Sequence, residues 1–252
     1  MNLQQWSHYF EANRRRFQEP DFLPAATLLP KEICAPLVKS LAIFQLGESG
    51  GGTRLMRYVR QVVQAEELAG YEEAVRYFIA EEQYHAHLLA GLVTHLGGVC
   101  LQKQWSNSIF RWLRNHFGVE FNIQILLTAE LIAEVYFALL YRKIEDPMVR
   151  LICHKILGDE MRHIAFHTEF LRERFATMPA WKRSLWRTQF RVIHHATSCI
   201  VALDHRECLR AAGTTMGSFV SMSGKTTTRF LRRLESPQRL WLAERGVAPQ
   251  VA

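Results

Sequence analysis

Two short strings carry residue types suited to metal chemistry: Glu81-Glu82-Gln83-Tyr84-His85 and Asp159-Glu160-Met161-Arg162-His163, with Glu82 and Glu160 78 residues apart. On a helix, residues three apart lie on adjoining turns of one face, so each string offers a carboxylate and an imidazole in the same direction. Glu82 and His85 interrupt an apolar face of Val75, Phe78, Ile79, Leu89, Leu92 and Leu96. Glu160, His163 and His167 interrupt a second one, made by Val149, Ile152, Ile156 and Phe170. At helical periodicity both sets point into a core.

A dinuclear site in a helix bundle needs one more Glu from each of two other helices. Glu48 follows Val38, Leu41 and Phe44 on one apolar stripe, and Glu130 follows Ile123 and Leu126 on another. Level supports Glu130: Glu160 and His163 lie 14 and 17 residues beyond the turn at Asp146, and an equal distance backward reaches about Glu130. Glu134, one turn nearer that turn, is the competing position, as a supporting residue or an alternative ligand. The plainest reading makes these acids surface charges or partners of Arg. Four unpaired carboxylates in one core would each cost several kcal/mol, whereas two divalent ions neutralise four negative charges and bind imidazoles in their neutral form. Oxygen and nitrogen donors without thiolate suit iron, with manganese as the alternative, better than structural zinc.

The elements that must position these residues are long helical patterns at roughly 36–66, 71–97, 119–144 and 147–175, punctuated by Gly70, Gly97-Gly98 and Glu145-Asp146-Pro147. The connection over 98–118, with Trp105, Phe110 and Trp112, has the length of a crossover along a bundle. An amphipathic helix at about 3–17 is expected to pack on the outside, followed by a lead-in punctuated by Pro20, Pro24, Pro30 and Pro36. Further patterns over 180–211 and 214–234 can cover one side. Gly50, Gly51 and Gly52 would cost about 1 kcal/mol each inside a helix, so they open a pocket beside the metals or break the helix. The expectation is one all-α domain over 1–252, with a metal-binding four-helix bundle at about 36–175 and extra helices at about 3–17 and 180–235.

At 252 residues and 48% apolar content, the chain can bury a large core unaided. Its five cysteines form no C-x-x-C pair and read as core residues of a reducing compartment. The N-terminus lacks the apolar core of a signal peptide, which with the absence of a long uninterrupted apolar run predicts a cytoplasmic protein. The net charge of +7, with Arg183, Arg187, Arg191, Arg229, Arg232 and Arg233 clustered late, reads as a solvated face or a surface for an acidic partner such as a carrier protein. There is no specific nucleic-acid or membrane signal.

Two E-x-x-H motifs flanked by two lone Glu residues resemble the di-iron carboxylate proteins of the ferritin-like superfamily over roughly residues 36–175. Relatives of that type include acyl-carrier desaturases, p-aminobenzoate N-oxygenases, aldehyde-deformylating oxygenases, bacterioferritins and rubrerythrins. The resemblance implies a ferritin-like bundle with two iron ions: Glu48 and Glu130 as terminal or bridging carboxylates, Glu82 and Glu160 as the others, and His85 and His163 as one imidazole per iron. Asp159 and Glu81 resemble acids that orient a ligating histidine from behind. His167 is similar to the additional histidine of the N-oxygenases, although the position four before Glu160 is Ile156. Leu89 stands where ribonucleotide reductase subunits keep a radical tyrosine, which disfavours that role. The implied activity is dioxygen-dependent hydroxylation, N-oxygenation or desaturation of a small or carrier-bound organic substrate, with an electron-donor protein and compatibly with a homodimer. Ferroxidase or iron storage, or a dimanganese catalase-type protein, is the alternative; a metal-free helical interaction protein is the third class.

Overall fold

The structure, a computed structural model, describes residues 3–22, 29–50, 52–66, 70–105 and 119–235. Pro24, Gly51, Phe110 and Trp112 lie outside them. The described residues form helices and no strand: α1 (Leu3–Arg16), α2 (Lys31–Glu48), α3 (Thr53–Glu66), α4 (Tyr71–His95), α5 (Val119–Lys143), α6 (Pro147–Thr177), α7 (Ala180–Asp204), α8 (Arg206–Ala211) and α9 (Met216–Glu235).

The pattern at 36–66 is two helices rather than one. It begins upstream at Lys31, with Pro36 inside α2, and breaks after Glu48. The reason lies at Gly52: its φ is +61°, and a Cβ there would fall 2.5 Å from Cδ1 of Ile79 on α4. Only glycine takes that backbone without strain and lets the chain pass so close to α4. Gly52 therefore belongs to a helix break. The pattern at 180–211 likewise divides at His205 into α7 and α8.

The short α5–α6 connection behaves as its residues predict. Asp146 caps α6, accepting from the backbone N–H of Met148 at 3.0 Å and Val149 at 2.9 Å, and Pro147 opens the first turn. Helices α5 and α6 make the most extensive pairing, α2 lies along α4, and α4 touches α6; α7 and α9 pair with each other and cover α5 and α6. As its amphipathic pattern predicts, α1 is an outer helix with one buried face. It docks on α4 with Phe10 fully buried and Trp6 nearly so.

Two apolar cores fill the interior. One gathers Leu37 and Leu41 of α2, Leu88, Leu89 and Leu92 of α4, Ile132, Tyr136, Phe137 and Leu140 of α5 and Val149, Ile152 and Ile156 of α6. The other gathers Trp6 and Phe10, Val75 and Phe78, Ile123, Leu127 and Leu131, and Ile164, Phe166, Phe170 and Phe175. Between them α4, α5 and α6 each switch from apolar to polar residues at the same level, so Glu81 to His85, Thr128 to Glu130 and Asp159 to His163 form a polar waist. One stretch, Ile123–Lys143, is long and apolar enough to cross a membrane, and 78% of its most apolar window is buried inside the protein. It serves here as a core helix. The cysteines are free, and only Cys153 and Cys208 are core residues: Cys34 and Cys100 are half-buried and Cys199 is exposed, because it falls on the outer face of α7.

Candidate metal centre

Four helices deliver acids to the waist. Glu48 is the last residue of α2, Glu82 and His85 stand mid-way along α4, Glu130 on α5, and Glu160 and His163 on α6. His163 Nδ1 lies 2.9 Å from Glu82 Oε1, 3.3 Å from Glu130 Oε2 and 3.7 Å from Glu160 Oε2. His85 Nδ1 lies 3.5 Å from Glu160 Oε1 and 3.7 Å from Glu82 Oε1. The two oxygens of Glu160 therefore face different histidines. Donor atoms of Glu82, Glu130, Glu160 and His163 all lie within 4.8 Å of one another, a spacing suited to a shared cation. Glu48 keeps some exposed surface, while its carboxyl faces Glu82, Glu160 and His85.

These contacts are close but not aligned as hydrogen bonds. Glu82 Oε1, Glu130 Oε2, both oxygens of Glu160, and Nδ1 of His85 and of His163 are buried without a hydrogen-bond partner. Leaving one buried polar atom unpaired costs about 1–3 kcal/mol, so six converging on one place are unexpected in a site meant to stay metal-free. The donor set fits a cation.

The far side of each imidazole is paired, and the pairing crosses between helices. His85 Nε2 meets Asp159 Oδ2 of α6 at 2.9 Å, and His163 Nε2 meets Glu81 Oε2 of α4 at 3.0 Å. With Nε2–H donating to a carboxylate, Nδ1 is the nitrogen left for a metal. Lys155 donates to Asp159 Oδ2 at 2.6 Å, and Asn13 of α1 donates to both acids. Glu81 and Asp159 are themselves buried.

Charge and burial set the proton distribution. Burial, reinforced by Glu82 and Glu160, pushes the carboxyls of Glu48 and Glu130 well above the usual range. Burial would also raise Glu160, but its contacts with Glu130, His163 and His85 hold it well below. Asp159 is held low in the same way, by His85 and Lys155 against the effect of burial. Burial opposes the charged form of His85, yet Asp159 and Glu160 carry its pKa up to about 10; surrounding carboxylates raise His163 likewise.

Glu130 and Glu134 are now separated. Glu130 joins the cluster, whereas Glu134 turns toward α9, with Oε1 3.6 Å from Arg229 Nη1. His167 is buried with Nε2 unpartnered, edge-on to Phe78 at 5.0 Å between ring centroids, and burial followed by His163 lowers its pKa to about 3. It remains neutral on the aromatic side of the waist and outside the four-residue group. His194 and His205 serve other buried networks, with Ser198 and Ser223 and with Ser40 and Tyr136 respectively. His154 lies tilted against Tyr141 and His195 is exposed.

Sequence reasoning missed Asn13 and Lys155, along with Phe10, which packs beside His163 and is backed by Phe166. A signal existed for Asn13: Trp6, Phe10 and Asn13 are spaced four and three apart, placing all three on one helix face. No family model matches the chain, and neither a curated protein nor a solved structure shows significant similarity to it. What defines the protein at this point is an all-helical architecture around a buried carboxylate–histidine cluster able to hold a metal ion.

Proposed function

We propose that the chain is a ferritin-like di-iron oxidase or oxygenase that uses dioxygen to hydroxylate, N-oxygenate or desaturate a small or carrier-bound organic substrate. The observation that carries the reading is the convergence of unpartnered donors around Glu160, whose two carboxylate oxygens each approach a different imidazole. Such a carboxylate would offer one oxygen to a cation on either side. Glu130 and His163 belong to one half of the site and Glu48 and His85 to the other, with Glu82 between. One acid from each of α2, α4, α5 and α6, with a histidine one turn after two of them, is the pattern of a dinuclear site in a ferritin-like bundle.

Charge supports two divalent ions: four carboxylates approach the donors, and the imidazoles bind neutral. Bound iron would supply electrons for dioxygen reduction in a site that excludes competing reactions. The protein's own part is positional. Asp159 and Glu81 fix the imidazole orientation, and Phe10 and Phe78 keep water from the His163 side. No nucleotide or flavin motif is present in the sequence, so a separate protein or the substrate delivers electrons. Exposed Lys182 and Arg191 of α7 and Lys225 and Arg232 of α9 give an acidic donor or carrier a complementary face.

The test is metal content per chain in protein purified without added metal, followed by optical spectra as the ferrous form meets dioxygen. About two irons per chain and a transient visible band support the reading. Protein that resists iron loading refutes it, and a cage-sized particle that accumulates iron would replace it with ferroxidase and storage.

A further inference from the structure

We propose that Asn13 of α1 is a positioning residue that braces the acids behind both histidines of the metal centre, and that its grip is asymmetric, decisive for His163 and dispensable for His85. This rests on the metal-centre reading above. Asn13 Nδ2 lies 2.6 Å from Glu81 Oε1 and 2.8 Å from Asp159 Oδ1. An amide nitrogen carries two hydrogens, so this single group spends both donors on two acids from different helices. The opposite orientation would turn the amide oxygen onto two carboxylates, so the assignment is dictated by charge.

The second oxygen of each acid holds one imidazole: Glu81 Oε2 holds His163 Nε2 at 3.0 Å, and Asp159 Oδ2 holds His85 Nε2 at 2.9 Å. Two relays thus leave one amide, Asn13 to Glu81 to His163 and Asn13 to Asp159 to His85. They are not equally supported. Asp159 also receives Lys155 Nζ at 2.6 Å, whereas among the described residues Glu81 has Asn13 and His163 alone as its hydrogen-bond partners. Without Asn13, Asp159 keeps a cationic donor and its hold on His85. Glu81 becomes a buried carboxylate with one donor, free to swing away from His163.

Helix α1 does not depend on Asn13 for docking. Trp6 Nε1 donates to Glu169 Oε2 at 2.8 Å, and Phe10 packs edge-on to Phe166 at 5.5 Å. Variants at position 13 therefore keep the helix in place. Loss of a residue that orients a ligand from behind costs about 10–100-fold in metal affinity.

The experiment compares wild type, Asn13→Ala, the isosteric Asn13→Asp and Lys155→Met, the last also combined with Asn13→Ala. Cobalt(II) titrations are followed by absorption, and the imidazole N–H protons of the metal-free proteins by NMR. Asn13→Ala is expected to weaken one of two cobalt sites about 10–100-fold and leave the other within about threefold. The His163 Nε2–H signal is lost and that of His85 persists. Asn13→Asp, which keeps the shape and exchanges donors for acceptors, does at least as much; Lys155→Met leaves Asp159 the Asn13 donor that suffices for Glu81 and keeps both signals, whereas combining it with Asn13→Ala loses that of His85 as well. Unchanged titrations in the folded Asn13 variants, or equal weakening of both sites, overturns the proposal. If wild type binds no cobalt, the metal-centre reading fails separately, and the NMR comparison still decides the role of Asn13: a retained His163 Nε2–H signal in Asn13→Ala refutes it, and a selective loss supports it.

Discussion

The metal-free site holds protons that a cation must displace, so stability and metal binding should depend on pH in opposite directions. His85 binds its proton more tightly in the fold, with a pKa raised from 6.5 to about 10 against the effect of burial. The stability it contributes is complete below pH 6.5 and is lost as pH climbs toward the folded value. Glu48 and Glu130, raised by burial and neighbouring carboxylates, act with the same sign, favouring the protonated fold and penalising it above their ordinary value of 4.5. Asp159 and Glu160 are depressed and act oppositely, contributing above 3.8 and 4.5 and failing as pH falls. Above neutral pH the raised groups dominate. One pKa unit corresponds to about 1.4 kcal/mol, so between about pH 6.5 and 9 His85 alone accounts for a loss on the order of 3 kcal/mol. At about 2–4 °C per kcal/mol for a chain of this size, the metal-free Tm should fall by about 6–12 °C. With manganese(II), or ferrous iron under nitrogen, each displaced proton tightens binding about tenfold per pH unit, so the gap between loaded and metal-free Tm should widen. Thermal melts followed by circular dichroism, with chelator and with metal, measure both. A metal-free Tm that stays level or rises across this range, or a gap that narrows, would refute the proton distribution derived from the structure.

Glu130→Gln should lower metal stoichiometry or weaken binding by at least about 100-fold, because the direct donor at 3.3 Å from His163 Nδ1 is lost. Glu134→Gln, on the Arg229 side, should leave both unchanged, and equal effects of the two in a metal titration would reassign the α5 ligand. Gly52→Ala should cost about 1–3 kcal/mol in denaturant unfolding, since the residue sits at φ +61° and the new methyl would meet Ile79. A neutral result there would mean that the α2–α3 break can shift without strain.

Much of the site was legible because its residues interrupt helical apolar periodicity. Glu82, His85, Glu130, Glu160 and His163 were each placed inward by neighbours three and four positions away, and the structure buries them or brings them against the cluster. Counting back from Asp146 favoured Glu130 over Glu134 because α5 and α6 run antiparallel from a short capped turn, where equal distances along the chain become equal heights. The helix break was less legible. A run of glycines states a local cost, but whether the chain turns depends on how closely Ile79 approaches Gly52 from another helix.

Local pattern alone determined helix type, inward faces and the acid–histidine pairs, because these follow from side-chain spacing along one helix. Only tertiary structure decided which acid holds which histidine. The bonds cross from α4 to α6, so Glu81 serves His163 and Asp159 serves His85, although each acid is closer in sequence to the other histidine. It also decided that α1, which looks like an outer arm, closes the site through Asn13. Hydrogen bonds between elements depend on the docking of whole helices, and that docking is set by the summed burial of many apolar residues rather than by any short motif.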